Sequence, residues 1–344
     1  MSVTLSIPTA RRTAVATAAV AALLLAGCTG QPDHEQDDDA APPAASDTVT
    51  LVTHDSFALS DGVLERFEDE SGLTVEVNVV GDSGALADAL VPPAEVPPGD
   101  VVFGVDNTFL SRVEDEGATE VNYLWQVGEA DVCVNADRAW FAEQGLPVPR
   151  TLDDLIAPRY QGLLVVPDPA TSSLGLAFLL AAVDEYGDTG VGDYWTALRE
   201  NDVAVAGSWE DAYGAAFTAG GGDGDRPLVV SYSTSPAGTV GDDGEPPTTA
   251  LPETCFRHEE YAGLLTGGPN REGGQELLWF LTSDAVQQDL PASMSLYPAD
   301  DDIKLPDTGS RRAPRPQDPH ELDPEEIAEN REAWIAAWTA TVSE

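Results

Sequence analysis

Between residues 49 and 116 the chain alternates apolar stretches that read as strands with amphipathic stretches that read as helices, and nothing else in the sequence limits the fold as strongly. Strand patterns cover 49–53, 75–80 and 100–104, and helix patterns cover 63–70, 86–90 and about 108–116. Apolar strands joined by helical crossovers build βαβ units, which implies a mostly parallel sheet with helices on its faces. In such a sheet the ligand crevice lies outside the carboxyl ends of the strands. His54-Asp55-Ser56, Gly81-Asp82-Ser83-Gly84 and Val105-Asp106-Asn107 each follow a strand, so they are expected to converge on one edge.

A second α/β block runs from about 131 to 252. Its strand patterns are 132–134, 162–166, 203–205 and 228–232, and its helix patterns start after Leu152 and at 174–185, 194–200 and 210–217. Helix patterns return at 274–282 and 283–289. The last helix opens on Asp323-Pro324-Glu325-Glu326, a capping residue, a first-turn proline and acidic side chains on the helix dipole. Trp334 and Trp338 share a face of it and are expected to pack into the first lobe. The expected division is a first lobe of 48–130 plus 256–344 and a second of 131–255, joined by a double crossover that acts as a hinge. Cys133 and Cys255 fall near the two crossovers, in an oxidising compartment; a disulfide between them is expected, with two separately buried thiols as the alternative.

The compartment follows from the N-terminus. Arg11 and Arg12 precede an apolar run, 13–26, that ends in Leu25-Ala26-Gly27-Cys28, the pattern of a signal peptide closing on a lipobox. The run is too short to span a hydrocarbon layer, which needs about 20 residues. Residues 1–27 therefore read as a lipoprotein signal, exported by the Sec or the twin-arginine route, and Cys28 as the lipidated residue. Residues 28–47, with three consecutive aspartates and a Pro/Ala stretch, have little to bury and read as a solvated tether. Membrane attachment through lipid alone, on the outer face of the cytoplasmic membrane, is the resulting expectation.

A formal charge of −45 leaves no basic patch for counterion release, which excludes a nucleic-acid partner and disfavours anionic ligands. Most of the acidity serves solubility, so charge alone favours a cation only weakly. No nucleophile-elbow, P-loop or Cys-x-x-Cys motif occurs, and there are only four histidines. Gly81-Asp82-Ser83-Gly84 invites comparison with a serine-protease nucleophile loop but follows a βαβ strand, and a secreted hydrolase lacks a convincing nucleophile–base pair. The chain is read as a binding protein without a cofactor or a resident metal. Asp106-Asn107 is explained by helix capping. The run 168–175 is a strand exit entering a helix N-terminus, able to hold a polar or phosphorylated group. Trp209 and Tyr213, four apart, fit a core stripe as well as a ligand. Ser231-Tyr232-Ser233-Thr234-Ser235-Pro236, a polar aromatic cluster after an apolar strand, favours a site.

In chain order, Thr53-His54-Asp55-Ser56-Phe57, Val105-Asp106-Asn107, 168–175, Ser208-Trp209 through Gly214 and Ser231 through Pro236 resemble the thiamine-binding proteins of ABC importers, over about 50–298. The resemblance implies a two-lobed type II periplasmic-binding fold, a monomer that docks on an ABC permease, and thiamine or a thiamine phosphate held between the lobes. It also implies aromatic faces around the ligand and a carboxylate near the cationic ring. Carried onto this chain, the ligand-binding set is His54, Asp55, Ser56, Asp82, Asp106, Ser172, Ser173, Trp209, Tyr213, Tyr232 and Ser235. In that set Trp209, Tyr213 and Tyr232 supply faces for cation–π contact. Asp55 or Asp82 supplies countercharge, and Ser172 and Ser173 meet the hydroxyethyl or phosphate end. Three positions depart from the family pattern. His54 stands where relatives have tyrosine, Ser60-Asp61-Gly62 where a tryptophan is expected, and Ser295-Leu296 where an aromatic precedes Tyr297-Pro298. Protonated His54 opposes a cationic ligand. The departures keep a pyrimidine relative of thiamine open; iron(III) is the other alternative, although no adjacent tyrosine pair offers phenolates.

Overall fold

The computed structural model describes residues 46–91, 96–238, 245–300, 302–303 and 315–343. The signal segment, Cys28 and the tether up to residue 45 lie outside the described residues. The elements in chain order are β1 (Thr48–Thr53), α1 (Val63–Ser71), β2 (Thr74–Val79), α2 (Ser83–Leu90), β3 (Val101–Asp106), α3 (Leu110–Asp115), β4 (Thr119–Glu129), β5 (Val132–Asp137), α4 (Arg138–Gln144), α5 (Leu152–Leu155) and β6 (Leu164–Pro167). Then come α6 (Ser173–Glu200), β7 (Ala204–Ala206), a π-type turn (Asp211–Ala216), β8 (Leu228–Tyr232), α7 (Ser235–Gly238), β9 (Thr248–Ala250), β10 (Glu259–Leu265), α8 (Arg271–Leu281), α9 (Asp284–Ser293), β11 (Tyr297–Pro298) and α10 (Pro324–Ser343).

Two sheets flanked by helices result, ordered β11-β4-β10-β3-β1-β2 and β7-β6-β8-β5-β9. Each is mixed rather than mostly parallel. In the first, β1 pairs β2 and β3 in parallel, as the βαβ pattern requires, but β10 returns antiparallel between β3 and β4. In the second, β6 pairs β7 and β8 in parallel, while β5 runs antiparallel to β8 and β9. The reason is topological. A chain that leaves the first sheet through β4, builds the second and then comes back inserts its returning strand against the grain.

The central strands β3 and β8 carry near-continuous apolar runs because both their faces are covered. Leu51, Phe103, Leu264 and Leu278 belong to the core of the first sheet; Val134, Val166, Phe178 and Val230 belong to that of the second. The two chain passages between the sheets lie side by side. Val132 and Phe256 exchange both backbone hydrogen bonds, and the Ala130 N–H donates to the His258 carbonyl at 3.0 Å. The disulfide Cys133–Cys255 closes across these passages, with Cα atoms 4.1 Å apart.

A third passage departs from expectation. His320 pairs with Phe256 and leads into α10, whose Trp334 and Trp338 join the second core, Trp338 lying 5.8 Å edge-on from Trp195. The two tryptophans therefore pack on the second block, not the first, and draw the end of the 256–344 segment with them. An amphipathic helix specifies that one face must be buried; it does not specify on which partner. The helix patterns at 174–185 and 194–200 merge into α6, broken at Gly187, whose φ of 67° few side chains tolerate.

Candidate functional site

The carboxyl ends of β1 and β8, the amino end of β10, the turn after β7 and the end of α9 meet at a cleft of about 230 Å³ lined by His54, Ser56, Trp209, Glu210, Tyr232, Ser235, Glu260 and residues 293–295. Tyr232 packs against both cores, and so ties the cleft to the two sheets at once.

The aromatic wall is built locally. β7 ends at Ala206, and the wide turn that follows lets Trp209 stack on Tyr213, centroids 5.4 Å apart and planes at 27°. The Trp209 indole N–H donates to the Ser231 hydroxyl at 3.0 Å, and that oxygen lies 2.8 Å from the Ser235 hydroxyl. Tyr232 approaches Trp209 at 6.1 Å. Trp209 and Tyr232 line the cleft, whereas Tyr213 backs Trp209 rather than lining it.

The opposite wall is ionic and buried. The Glu260 carboxylate lies between two imidazoles, with His54 Nε2 3.5 Å from one oxygen and His258 Nε2 3.6 Å from the other. Gly104 makes room for this arrangement: its φ is +98°, and a Cβ there would stand 2.0 Å from His54 Cδ2. His258 meets the Tyr232 ring edge-on at 5.6 Å. Burial drives the Glu260 carboxyl up, but hydrogen bonding and charge from His258 and His54 outweigh it and hold the group down at about 2. Burial likewise resists protonation of both histidines. Glu260, Asp82 and Asp55 outweigh it for His54, and Glu260, Asp106 and Asp131 do so for His258, so both sit above the ordinary 6.5. Burial, reinforced by the carboxylates Glu260, Asp82, Asp106 and Asp55, raises the Tyr232 phenol well above its ordinary value and keeps it neutral.

The remaining expected residues are distributed around this centre. Asp55 is exposed beside the cleft and accepts from the Ser56 hydroxyl at 3.2 Å. One oxygen of Asp82 caps α2 by accepting from Gly84 N–H at 3.3 Å and also accepts from Ser173 N–H at 3.2 Å, joining the first block to the start of α6. Asp106 is buried and accepts from the backbone and hydroxyl of Thr108; this closes a turn ahead of α3 rather than capping that helix as expected, because α3 starts only at Leu110 with Phe109 at its cap position. Ser172 is brought elsewhere. It lines a separate cleft of about 520 Å³ with Phe109, Arg112 and Arg331.

Sequence reasoning missed Glu260 and His258. The signal was present in Arg257-His258-Glu259-Glu260, four titratable residues directly before the apolar Tyr261-Ala262-Gly263-Leu264-Leu265. Two glutamates at the head of a strand look like a solvated turn. Only pairing with β3, which sets Glu260 opposite Asp106, makes one of them buried. The predicted absence of an aromatic near the chain's end is visible too, since Ser295 stands at the cleft while Tyr297 sits under Arg315 at 4.6 Å.

Two lobe-like sheets, paired chain passages between them and a cleft where they meet define a two-lobed solute-binding protein of the type II periplasmic class. Residues 101–330 match the family of bacterial extracellular solute-binding proteins, and the chain belongs to that family. Among its relatives, the thiamine-binding periplasmic protein of Brucella suis is 30% identical over 322 residues, covering 88% of this chain and 95% of the relative. That of Escherichia coli is 28% identical over 326 residues, covering 88% and 96%. A solved periplasmic thiamin binding protein superposes with a TM-score of 0.75 at 25% identity, covering 86% of this chain and 96% of that one. The ferric binding protein of Campylobacter jejuni, at 13% identity and a TM-score of 0.66, shares the fold.

Proposed function

We propose that the protein captures thiamine, or one of its phosphates, outside the cytoplasm and delivers it to the permease of an ABC importer. One observation carries this reading: a buried carboxylate, Glu260, and two aromatic rings, Trp209 and Tyr232, line the same cleft. A thiazolium is a permanent cation on an aromatic heterocycle. Over a Trp or Tyr face such a cation gains about 0.5–2 kcal/mol, more when desolvated, and the carboxylate supplies countercharge. The thiamine-binding relatives support the ligand assignment. Glu260 takes the countercharge role first given to Asp55 or Asp82, which remain part of the surrounding acidic field together with Asp106. Ser56 and Ser235 supply hydroxyls to the ligand's polar edge, and Tyr213 holds Trp209 in place. Ser172 and Ser173, at the start of α6, lie outside this cleft: Ser172 lines the separate one and the Ser173 N–H donates to Asp82. Lipid attached to Cys28 would hold the protein, as a monomer, on the outer face of the cytoplasmic membrane.

Isothermal titration with thiamine, thiamine phosphates and hydroxymethylpyrimidine, with iron(III) as control, tests the reading. Submicromolar binding of thiamine is expected, weakened at least about tenfold in Trp209→Ala and Tyr232→Ala. No heat and no thermal shift with any thiamine-like compound, from folded protein, would overturn it.

A further inference from the structure

We propose that Glu260 selects for a permanent cation by exchange: the ligand's positive charge replaces protons carried by His54 and His258 in the ligand-free protein, so capture is accompanied by proton release. This rests on the reading of the cleft as a thiamine site.

The geometry leads there in three steps. Each oxygen of Glu260 faces a different imidazole nitrogen, at 3.5 and 3.6 Å, and all three side chains are buried. A buried carboxylate left unpaired is costly, so in the ligand-free state the imidazoles are its partners. Glu260 and His54 line the cleft itself, and among the described residues no lysine or arginine does. The resident positive charge can therefore be withdrawn, because an imidazole loses its proton near neutral pH while a guanidinium does not. A cation seated against Glu260 faces imidazolium groups across the same carboxylate. It repels their charge and takes over their pairing role, and the cation is held more tightly as they deprotonate.

The groups around the pair fit this exchange. Asp55 and Asp82 act on His54 from the loops after β1 and before α2. Asp106 of β3 and Asp131, between β4 and β5, act on His258. The Tyr232 ring touches His258 and stays neutral. Arg257, two residues before β10, is engaged 3.4 Å from Asp131 and 3.4 Å from Glu129. A neutral analogue of the same shape offers no charge to exchange and gains nothing from Glu260.

Titration calorimetry of thiamine in two buffers of different protonation enthalpy, between about pH 5.5 and 8 where imidazoles titrate, reads the exchange directly. Up to two protons released per thiamine are expected, with Kd tightening as pH rises by up to about tenfold per unit for each proton released and levelling above the histidine range. His54→Gln and His258→Gln should each flatten the pH profile; if either fails to fold, the wild-type proton count decides. Thiamine binding with no proton release and a flat Kd overturns the exchange and leaves the thiamine reading standing. If thiamine does not bind, the thiamine reading falls. The exchange is then judged on tetramethylammonium, which must lower the histidine ring titration midpoints seen by NMR relative to sodium; unchanged midpoints overturn it.

Discussion

Gly104 and Asp131 show how single positions hold the site. At Gly104 a side chain would both strain a positive φ and collide with the His54 ring, so Gly104→Ala should destabilise the fold by about 2 kcal/mol or more and weaken ligand binding with it. Urea unfolding and calorimetry check the two effects; a stable variant with intact affinity would contradict the packing described. Asp131 sits between the sheets with its carboxyl raised to about 6 by burial, which Arg257 only partly offsets. A carboxyl that binds its proton more tightly when folded contributes stability at low pH and loses it as pH rises from about 4 to 6. Asp131→Asn should therefore gain stability relative to wild type across that window, by about 1–3 kcal/mol at neutral pH. Melts at pH 4 and 7 decide it, and a difference that shrinks with pH goes against it. Residues of this kind are the least legible in a sequence. Glycine at 104 looks like an ordinary strand interruption, and Glu260 like a surface charge, until a neighbouring strand covers them.

The elements were more legible where a local rule governed them. The βαβ run through β3, the strand at β8 and the capped start of α10, where the Glu325 N–H donates to Asp323 at 2.9 Å, follow from periodicity and end chemistry. The long strand β4 and the returning β10 carry no clear local signal, because β4 is half exposed and β10 opens on glutamates. The disulfide was read, from compartment and from the position of the cysteines at the passages between the sheets. It spans 122 residues, and removing it in a Cys133→Ser/Cys255→Ser double variant should cost about 2–4 kcal/mol. Chemical denaturation of oxidised protein and variant measures the difference; equal midpoints would show that the paired backbone passages suffice alone. For α10, Trp338→Ala should cost about 3–5 kcal/mol, because it empties a buried ring site against Trp195.

For the molecule as a whole, the formal charge of −45 places the proposed thiamine cleft inside a strongly negative field. Raising ionic strength shortens the Debye length from about 30 Å at 0.01 M to about 8 Å at 0.15 M, so thiamine affinity should weaken about three- to tenfold over that range. Calorimetry at constant pH tests this, and an affinity independent of salt would mean that only Glu260 and its neighbours matter. The division of labour between sequence and fold has a physical basis. Sequence by itself determined the α/β class and the pairing of the cysteines, because each depends on residues close in the chain or on the chemistry of one residue type. Only the tertiary structure decided that the sheets are mixed, that α10 belongs with the second core, and that a glutamate between two histidines forms the charged wall. Those outcomes depend on which distant segments become neighbours, and burial, which turns an ordinary carboxylate into a site, exists only once they have.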